Sequence, residues 1–276
     1  MKTPDSSYFP FIENSDQLDR VIDTIQSEVE QYIQSYRLKA LVLGVSGGID
    51  SALCAALLAP VCKKNGIPLI GRSITIETNP KDEIARSIAI GEAFCTQFEH
   101  LDLTPLYFEF RKWITVEDQS FRTRLRLGNI KARMRMMVIY DLAQKEGGIV
   151  IGTDNYTEYL TGFWTLHGDV GDYAPLFHLW KTEVYRVAKH FLASCNEAQK
   201  TALEACIEAT PIDGLGISSH DCEQLGVDNY DQADQIFQAY FTGDNSWENH
   251  PLIQKFKNST YKRENPYSIA RNRLLK

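Results

Sequence analysis

Long apolar runs are absent from this sequence of 276 residues, and their absence excludes two classes of protein. The N-terminal stretch MKTPDSSYFPFIENSDQLDR holds no apolar core of the length that a secretory signal peptide requires. No segment is long and apolar enough to cross a bilayer as a helix. We therefore predict a cytoplasmic protein that makes no contact with membranes.

Positive charge is also scarce, with 29 lysines and arginines against 36 aspartates and glutamates and a formal net charge of −7. An acidic chain is a poor candidate for binding nucleic acid or anionic membrane surfaces. The six cysteines form no CxxC pair and match no zinc-binding spacing, so we expect free thiols. The composition thus predicts a globular protein that binds neither nucleic acid nor membrane.

The sequence does contain an alternation of strand-like and helix-like segments. ALVLGV, IPLIGRSITI, FEHLDL and GIVIGT are the strand candidates, and the first is a continuous apolar run typical of buried parallel strands. Helical spacing predicts a helix over 15–36, capped by Asp16 or Ser15, and a helix from SALCAALL that ends near Pro60 or shortly after. Further helices are predicted in KDEIARSIAIGEAFCTQF, RTRLRLGNIKARMRMMVIYDLAQKEG and KTEVYRVAKHFLAS.

This order of elements predicts an α/β fold with a Rossmann-like parallel sheet and helices on both faces. No internal repeat or linker interrupts the pattern. We therefore expect one domain over 1–276, whose part from about residue 229 is helical or irregular.

The stretch VSGGIDSA, residues 45–52, follows an apolar strand and opens a helix. Glycines at such a turn let the backbone approach a ligand, and the helix N-terminus then forms an anion site. The stretch lacks both the GK[ST] of a Walker A loop and the GxGxxG of a dinucleotide loop. Because Asp50 would repel a phosphate unless a metal bridged the two, the residues indicate a phosphate loop with a Mg²⁺ ligand built in. A tight turn without a ligand is the alternative.

SGGIDS resembles the SGG-x-DS loop of the N-type ATP pyrophosphatases, which include NAD synthetases, GMP synthetases, asparagine synthetases and tRNA thiolation enzymes. The resemblance implies a fold of the adenine nucleotide alpha hydrolase type. It also implies that ATP is split between its α- and β-phosphates, that a substrate oxygen is adenylated and that pyrophosphate leaves. The implied ATP contacts are Gly44, Val45, Ser46, Gly47, Gly48, Ile49, Asp50 and Ser51.

One stretch on the predicted long helix narrows the resemblance to the NAD synthetases. GNIKARMRMM, residues 128–137, resembles their KGN-x-x-AR-x-RM segment. That likeness implies that Arg133 contacts a dinucleotide substrate, for which a guanidinium fork is well suited. A solvated basic helix face is the alternative.

A longer stretch, residues 152–176, resembles the NAD synthetase signature GTD-x-x-x-E-x-x-TG-[FY]-x-T-x-x-GD. The match implies that Glu158 is a second Mg²⁺ ligand beside Asp50 and that Thr153 lies against ATP. It places Asp169 and Asp172 in a loop that closes over the substrate, where Asp172 would bind substrate.

The remaining implied site residues lie nearer the C-terminus. Lys181 opens a predicted helix and resembles the synthetase lysine that meets the ATP phosphates, where a cation stabilises departing pyrophosphate. Thr210 is implied as an ATP contact, and Lys262, in TYKRENP, resembles the tail that folds over the substrate. Asp169 is the candidate for guiding or deprotonating ammonium. Catalysis would thus depend on Asp50, Asp169 and Lys181.

As a whole, the chain resembles the ammonia-dependent NAD synthetases. This implies deamido-NAD, ATP and ammonia as substrates, Mg²⁺ as cofactor, an adenylated nicotinate carboxylate, release of AMP and pyrophosphate, and a homodimer. A length of 276 residues leaves no room for the glutaminase domain of the glutamine-dependent enzymes, so we expect free ammonia or a separate glutaminase as the nitrogen source.

Departures from the family pattern lie on the substrate side. Leu166 stands where a lysine is usual, Tyr261 replaces a histidine, and GRSITIETNPKDE lacks the RLPxGxQxDE form. Nicotinate mononucleotide or another carboxylate is therefore an alternative acceptor. The acidic balance and the lack of CxxC argue against a tRNA thiolation enzyme. A non-catalytic ATP-binding module would need neither Glu158 nor Lys181.

Overall fold

The computed structural model describes residues 8–77, 79–116, 118–210, 222 and 225–275. The strands in this part are β1 (Leu41–Gly44), β2 (Leu69–Thr75), β3 (Gln97–Asp102) and β4 (Ile149–Ile151). The helices before and between them are α1 (Ser15–Tyr36), α2 (Ile49–Asn65), α3 (Lys81–Phe94), α4 (Thr104–Arg111) and α5 (Phe121–Glu146). After β4 follow α6 (Tyr156–Thr161), α7 (Lys181–Phe191), α8 (Glu197–Glu208), α9 (Tyr230–Phe241), α10 (Pro251–Asn258), α11 (Thr260–Arg263) and α12 (Arg271–Leu274).

The strands form one parallel sheet in the order β3-β2-β1-β4. Along β1 the side chains alternate between two cores, because successive residues of a strand point to opposite faces. Leu41 and Leu43 pack with α1, α2, α3, α7 and α8, whereas Val42 packs with α4 and α5. The predicted α/β fold, with a parallel sheet covered on both faces, is confirmed.

Helix α1 has the predicted bounds but a different cap. Its N-cap is Asn14, whose side chain accepts a hydrogen bond of 2.9 Å from the backbone N–H of Gln17. Ser15 is already the first helical residue and Asp16 the second, so neither can occupy the extended cap position. The predicted cap is therefore wrong.

The end of α2 was predicted near Pro60 or shortly after, and the helix continues past the proline to Asn65. A proline inside a helix removes one backbone hydrogen bond. Val61 and Cys62, which follow it, are buried in the core, and their burial favours continuing the helix.

A second apolar core lies around Trp180, which is fully buried at the start of α7. The segment 8–12 covers the indole from one side, and the Trp180 Nε1–H donates to the carbonyl of Tyr8 at 3.2 Å. Helices α9 and α10 close the core with Phe237 and Phe256. The N-terminal segment and helices α9 and α10 therefore meet at the N-terminus of α7.

The sheet has its topological switch at β1, because β2 and β4 flank that strand on opposite sides. In open α/β sheets, ligands bind outside the carboxyl ends of the strands at this position. The loops that leave β1 and β4 both begin there, at residues 45 and 152. None of the helices in the described part of the chain is both long and apolar enough to cross a membrane.

Candidate functional site

Hydrogen bonds between its own residues fix the loop between β1 and α2. The Ser46 N–H donates to Ser51 Oγ at 3.2 Å, and Ser51 Oγ donates to the Gly48 carbonyl at 3.1 Å. The Gly48 N–H donates to Ser46 Oγ at 3.2 Å. Gly48 is the N-cap of α2 and offers no side-chain cap. The first turn of α2 can therefore direct its N–H groups at an anion.

Gly47 brings this loop against α3. Its φ is +88°, and a Cβ at this position would lie 2.4 Å from the backbone oxygen of Glu83. Both the positive φ and the missing space require glycine here.

Gly47→Ala is expected to destabilise the protein by about 3 kcal/mol, because a strained φ and a backbone clash act together. Gly66→Ala is the matched control. Gly66 has a φ of +66°, but a Cβ there meets nothing within 4 Å. Gly66→Ala should lower the free energy of unfolding by only about 1 kcal/mol. Urea denaturation measures both, and equal losses would contradict the close approach of the loop to α3.

Three charged side chains from separate elements meet beside this loop. The Lys181 ammonium, on the first residue of α7, donates to Asp50 Oδ2 and, at 3.3 Å, to Glu158 Oε1. Asn155 donates from Nδ2 to Asp50 Oδ1 at 2.9 Å and from its backbone N–H to Glu158 Oε2 at 3.3 Å. Every oxygen of the two carboxylates thus has a partner. The fold brings the predicted residues Asp50, Glu158 and Lys181 together.

Burial opposes the charge of Lys181, whose side chain is 4% exposed, but Asp50 and then Glu158 raise its pKa well above the ordinary value. The ammonium therefore remains protonated and balances one of the two carboxylate charges. Carboxylate oxygens suit Mg²⁺, which commonly binds one or two of them together with phosphates and water. Within the described ranges, no group of three His, Cys, Asp or Glu side chains could hold a metal ion. The site thus fits a cation shared with a nucleotide.

Asp169 and Lys262, two further predicted residues, lie on another wall of the site. Burial raises the pKa of Asp169 to about 6, although the Thr165 N–H, which donates to Oδ1 at 2.8 Å, and the charge of Lys262 oppose the shift. Lys262 donates to the carbonyl of Gly162 at 2.6 Å and to that of Trp164. Helix α11 is thereby tied to the loop after α6.

Two residues that the sequence analysis missed also lie at the site. Asn155 caps α6 by accepting a hydrogen bond of 3.0 Å from the Glu158 N–H, besides its bond to Asp50. It falls on a variable position of the signature, so the motif gave no signal. Burial, followed by the charges of Asp169 and Glu158, raises the pKa of Asp154 well above its ordinary value. Asp154 is part of GTD and could have been found there.

Arg133 and Asp172 differ in where the fold places them. Arg133 lies at the cavity wall, and its guanidinium donates to the Leu166 carbonyl at 3.0 Å. Asp172 accepts hydrogen bonds of 3.0 Å from the Val150 N–H and from the Tyr140 hydroxyl. These bonds fasten its loop to β4, and a substrate contact by Asp172 stays a prediction.

These elements surround a cavity of about 640 Å³. Its lining includes most of the predicted site residues: Gly44, Val45, Ser46, Gly47, Gly48, Ile49, Asp50, Ser51, Arg133, Thr153, Glu158, Asp169, Lys181, Thr210 and Lys262. Anion-binding backbone, a lysine and paired carboxylates at one end of a cavity can hold and cleave a nucleoside triphosphate.

Known proteins resemble this chain over most of its length. The sequence profile described as NAD synthase matches residues 21–266. The NH(3)-dependent NAD(+) synthetase of Finegoldia magna is 31% identical over 253 residues, which are 89% of this chain and 93% of that protein. The enzyme of that name from Thermoplasma acidophilum is 30% identical over 238 residues, covering 84% of this chain and 91% of its own.

Solved structures show the same fold. An NMN synthetase from Francisella tularensis superposes with a TM-score of 0.73 at 23% identity and covers 92% of this chain and 98% of its own. The NH3-dependent NAD synthetase from Campylobacter jejuni gives a TM-score of 0.69 at 22% identity, with 92% and 99% covered.

Proposed function

The chain belongs to the NAD synthase family, and we propose that it amidates deamido-NAD to NAD with ammonia, using ATP as co-substrate and releasing AMP and pyrophosphate. The observation that carries the proposal is the meeting of Lys181 with Asp50 and Glu158 beside an uncapped helix N-terminus. A cation and anion-binding backbone stabilise the negative charge that develops when ATP is cleaved to an acyl adenylate. We propose a cytoplasmic enzyme that acts on small molecules alone.

In the proposed reaction, the loop 44–51 holds the phosphates of ATP through its N–H groups. A nicotinate carboxylate oxygen attacks the α-phosphorus, and pyrophosphate leaves with the electron pair of the broken P–O bond. Lys181 stabilises the charge that builds up on that leaving group. Asp50 and Glu158 would hold Mg²⁺, which when bound neutralises phosphate charge. Ammonia then attacks the carbonyl, AMP leaves and the amide forms.

Asp169 takes the proton from ammonium in this proposal, and its environment predicts a pH dependence. Its carboxyl must be ionised to accept a proton, so kcat/KM for ammonium should fall as the pH drops through about 6, the pKa to which burial raises this group. A pH–rate profile measures the acid limb. In Asp169→Asn the remaining activity should lack that limb. If the acid limb is unchanged in Asp169→Asn, a group other than Asp169 causes it.

The same raised pKa has the opposite consequence for stability. The folded chain holds this proton more tightly than the unfolded chain, whose aspartates titrate near pH ~4. The contribution of Asp169 to the free energy of unfolding therefore falls as the pH rises from about 4 to about 6.

Nicotinate mononucleotide is a second candidate acceptor, because the departures from the family pattern lie in the cavity wall. Leu166 and Tyr261 line the cavity at positions where the family has a lysine and a histidine. A wall with fewer cations suits an acceptor with a single phosphate better than one with a pyrophosphate. ATP cleavage would be the same for both acceptors.

A product assay tests the proposal. The protein is incubated with ATP, Mg²⁺ and ammonium, with deamido-NAD or nicotinate mononucleotide in parallel, and mass spectrometry detects amide and AMP. Faster conversion of deamido-NAD supports the first candidate, and faster conversion of the mononucleotide supports the second. AMP formed at the same rate without any acceptor, or no AMP at all, contradicts both.

The environment of four of the six cysteines disfavours a tRNA thiolation activity. Burial raises the pKa of Cys54, Cys62, Cys95 and Cys206 above that of a free thiol. Thiols held in this way are poor nucleophiles at neutral pH.

A homodimer is part of the proposal and is supported by exposed apolar side chains on α4, on the turn after it and on α5. They include Leu106, Phe108, Phe110, Trp113, Phe121, Leu125, Met137 and Tyr140. A homodimer that covers these side chains would remove their apolar surface from water. Trp113, 86% exposed, is the most open of them, so Trp113→Glu should shift the protein from dimer to monomer in sedimentation velocity. A wild-type monomer at micromolar concentration would contradict the proposal.

A further inference from the structure

Helix α7, whose first residue is the site residue Lys181, receives no side-chain cap from its own N-cap residue. The N-cap residue is Trp180, whose side chain carries no acceptor. A helix start leaves several N–H groups in need of partners, and these groups are buried here. Residues far from α7 in sequence supply two of the acceptors.

Thr157 and Asp234 are these acceptors. The Lys181 N–H donates to Thr157 Oγ1 at 2.9 Å, and the Thr182 N–H donates to Asp234 Oδ2 at 3.0 Å. Thr157 Oγ1 in turn donates to Asp234 Oδ1 at 2.6 Å. A single carboxylate on α9 therefore connects the start of α7 with α6.

The two elements that Asp234 joins carry two of the three charged side chains of the site, Glu158 on α6 and Lys181 on α7. Thr157 immediately precedes Glu158, and the Lys181 ammonium contacts both Glu158 and Asp50. A shift of α7 along its axis would move that ammonium away from both carboxylates.

Asp234 is 0% exposed, and such a carboxylate costs free energy to bury. Burial raises its pKa to about 7 against the opposing hydrogen bonds from Thr157 and the Thr182 N–H. Buried apolar neighbours such as Ile236 would pack this helix without that cost. The carboxylate is therefore placed here for its two hydrogen bonds.

We propose that Asp234 is the positioning residue of the site: through Thr157 and the N-terminus of α7 it sets the place of the Lys181 ammonium relative to Asp50 and Glu158. The inference rests on the proposed function of the site for its kinetic consequence. Its structural content, a carboxylate cap supplied by α9, stands on the hydrogen bonds alone.

The first test is Asp234→Asn, which keeps the size of the side chain. Because misplacement of a reacting group costs up to about 100-fold, kcat should fall by about 10- to 100-fold, with KM for ATP changed by less than about twofold. Ile236→Ala is the matched control on α9, since Ile236 is also buried. It should lower the thermal midpoint and keep kcat. A kcat that falls in both variants in step with stability would mean a merely structural role and overturn the inference.

Thr157 supplies a second pair of variants should Asp234→Asn fail to fold. Thr157→Ser keeps the hydroxyl and should keep kcat, whereas Thr157→Val removes it and should lower kcat as Asp234→Asn does. The double variant Asp234→Asn/Thr157→Val should be no slower than the worse single variant, because both break one connection. Full additivity, or a normal kcat in Thr157→Val, contradicts the inference.

Backbone amide exchange separates this inference from the proposed function. The backbone amides of Lys181 and Thr182 should exchange faster in Asp234→Asn than in the wild type. This expectation holds whichever carboxylate substrate the enzyme amidates. A wild type that amidates neither acceptor refutes the proposed function, and unchanged exchange in the variant refutes the cap. An active wild type with unchanged kcat in Asp234→Asn refutes the positioning role alone.

Discussion

Lys181→Met lowers kcat for amide formation by about 10²- to 10³-fold, the usual loss when one donor to a developing negative charge is removed. Methionine keeps most of the apolar stem and lacks the terminal ammonium. Pyrophosphate then leaves without its cation. KM for the acceptor should change little, because no contact to it is altered. Steady-state kinetics measures both quantities.

Lys189→Met is the matched control for this variant, because Lys189 lies on the exposed side of the same helix. It should keep the wild-type kcat. Equal losses in the two variants would show that any lysine-to-methionine change on α7 is harmful, and would contradict the role given to Lys181.

Lys181→Met also allows a direct test of whether Asp50 and Glu158 bind a metal ion. Asp50 and Glu158 lose their shared cation, and two uncompensated carboxylates destabilise the fold. Millimolar Mg²⁺ should then raise the thermal midpoint of the variant more than that of the wild type. Ca²⁺ and Na⁺ at equal ionic strength separate specific binding from screening. No difference between variant and wild type would contradict a metal site at these residues.

Trp180→Ala lowers the free energy of unfolding by about 3–5 kcal/mol, the range for deleting a fully buried aromatic side chain. The indole packs on Tyr156, with ring centroids 4.8 Å apart, and on Phe9, Phe11 and Phe237. Its removal leaves a cavity between the segment 8–12 and α9. Urea denaturation measures the loss.

Trp180→Phe is the graded control. It keeps a ring in the core but removes the hydrogen bond to the Tyr8 carbonyl and part of the volume. We expect a loss of about 1–2 kcal/mol. If the two variants lose equal stability, the second core does not depend on how well the indole fills it.

Strands β1, β2 and β4 could be predicted because each is a short and largely buried run, whereas β3 is polar and largely exposed. The run ALVLGV is confirmed as β1 for this reason. Helix α4 could not be predicted in the same way. Its exposed residues Leu106, Phe108 and Phe110 are spaced by two, and Tyr107 alone is buried. Such spacing is typical of a strand, so periodicity gives no helical signal here.

The candidate site was predictable where local motifs carry it. Asp50, Glu158 and Lys181 stand in recognisable stretches, and the fold brings them into contact. Asn155 and Asp234 were not predictable as site residues, because each acts through a hydrogen bond to a residue that is distant in sequence. A local pattern holds no information about which distant N–H group a carboxylate will meet.

The second core, around Trp180, also determines when the protein can complete its folding during translation. The ribosome makes the sheet and helices α1 to α8 first, and these elements can pack on one another before translation ends. Trp180 becomes fully buried only later, because its partners come from the first described residues and also from α9 and α10. A nascent chain that stops before residue 230 would carry a finished sheet and an open aromatic surface. Such a fragment is a natural target for chaperones and proteases.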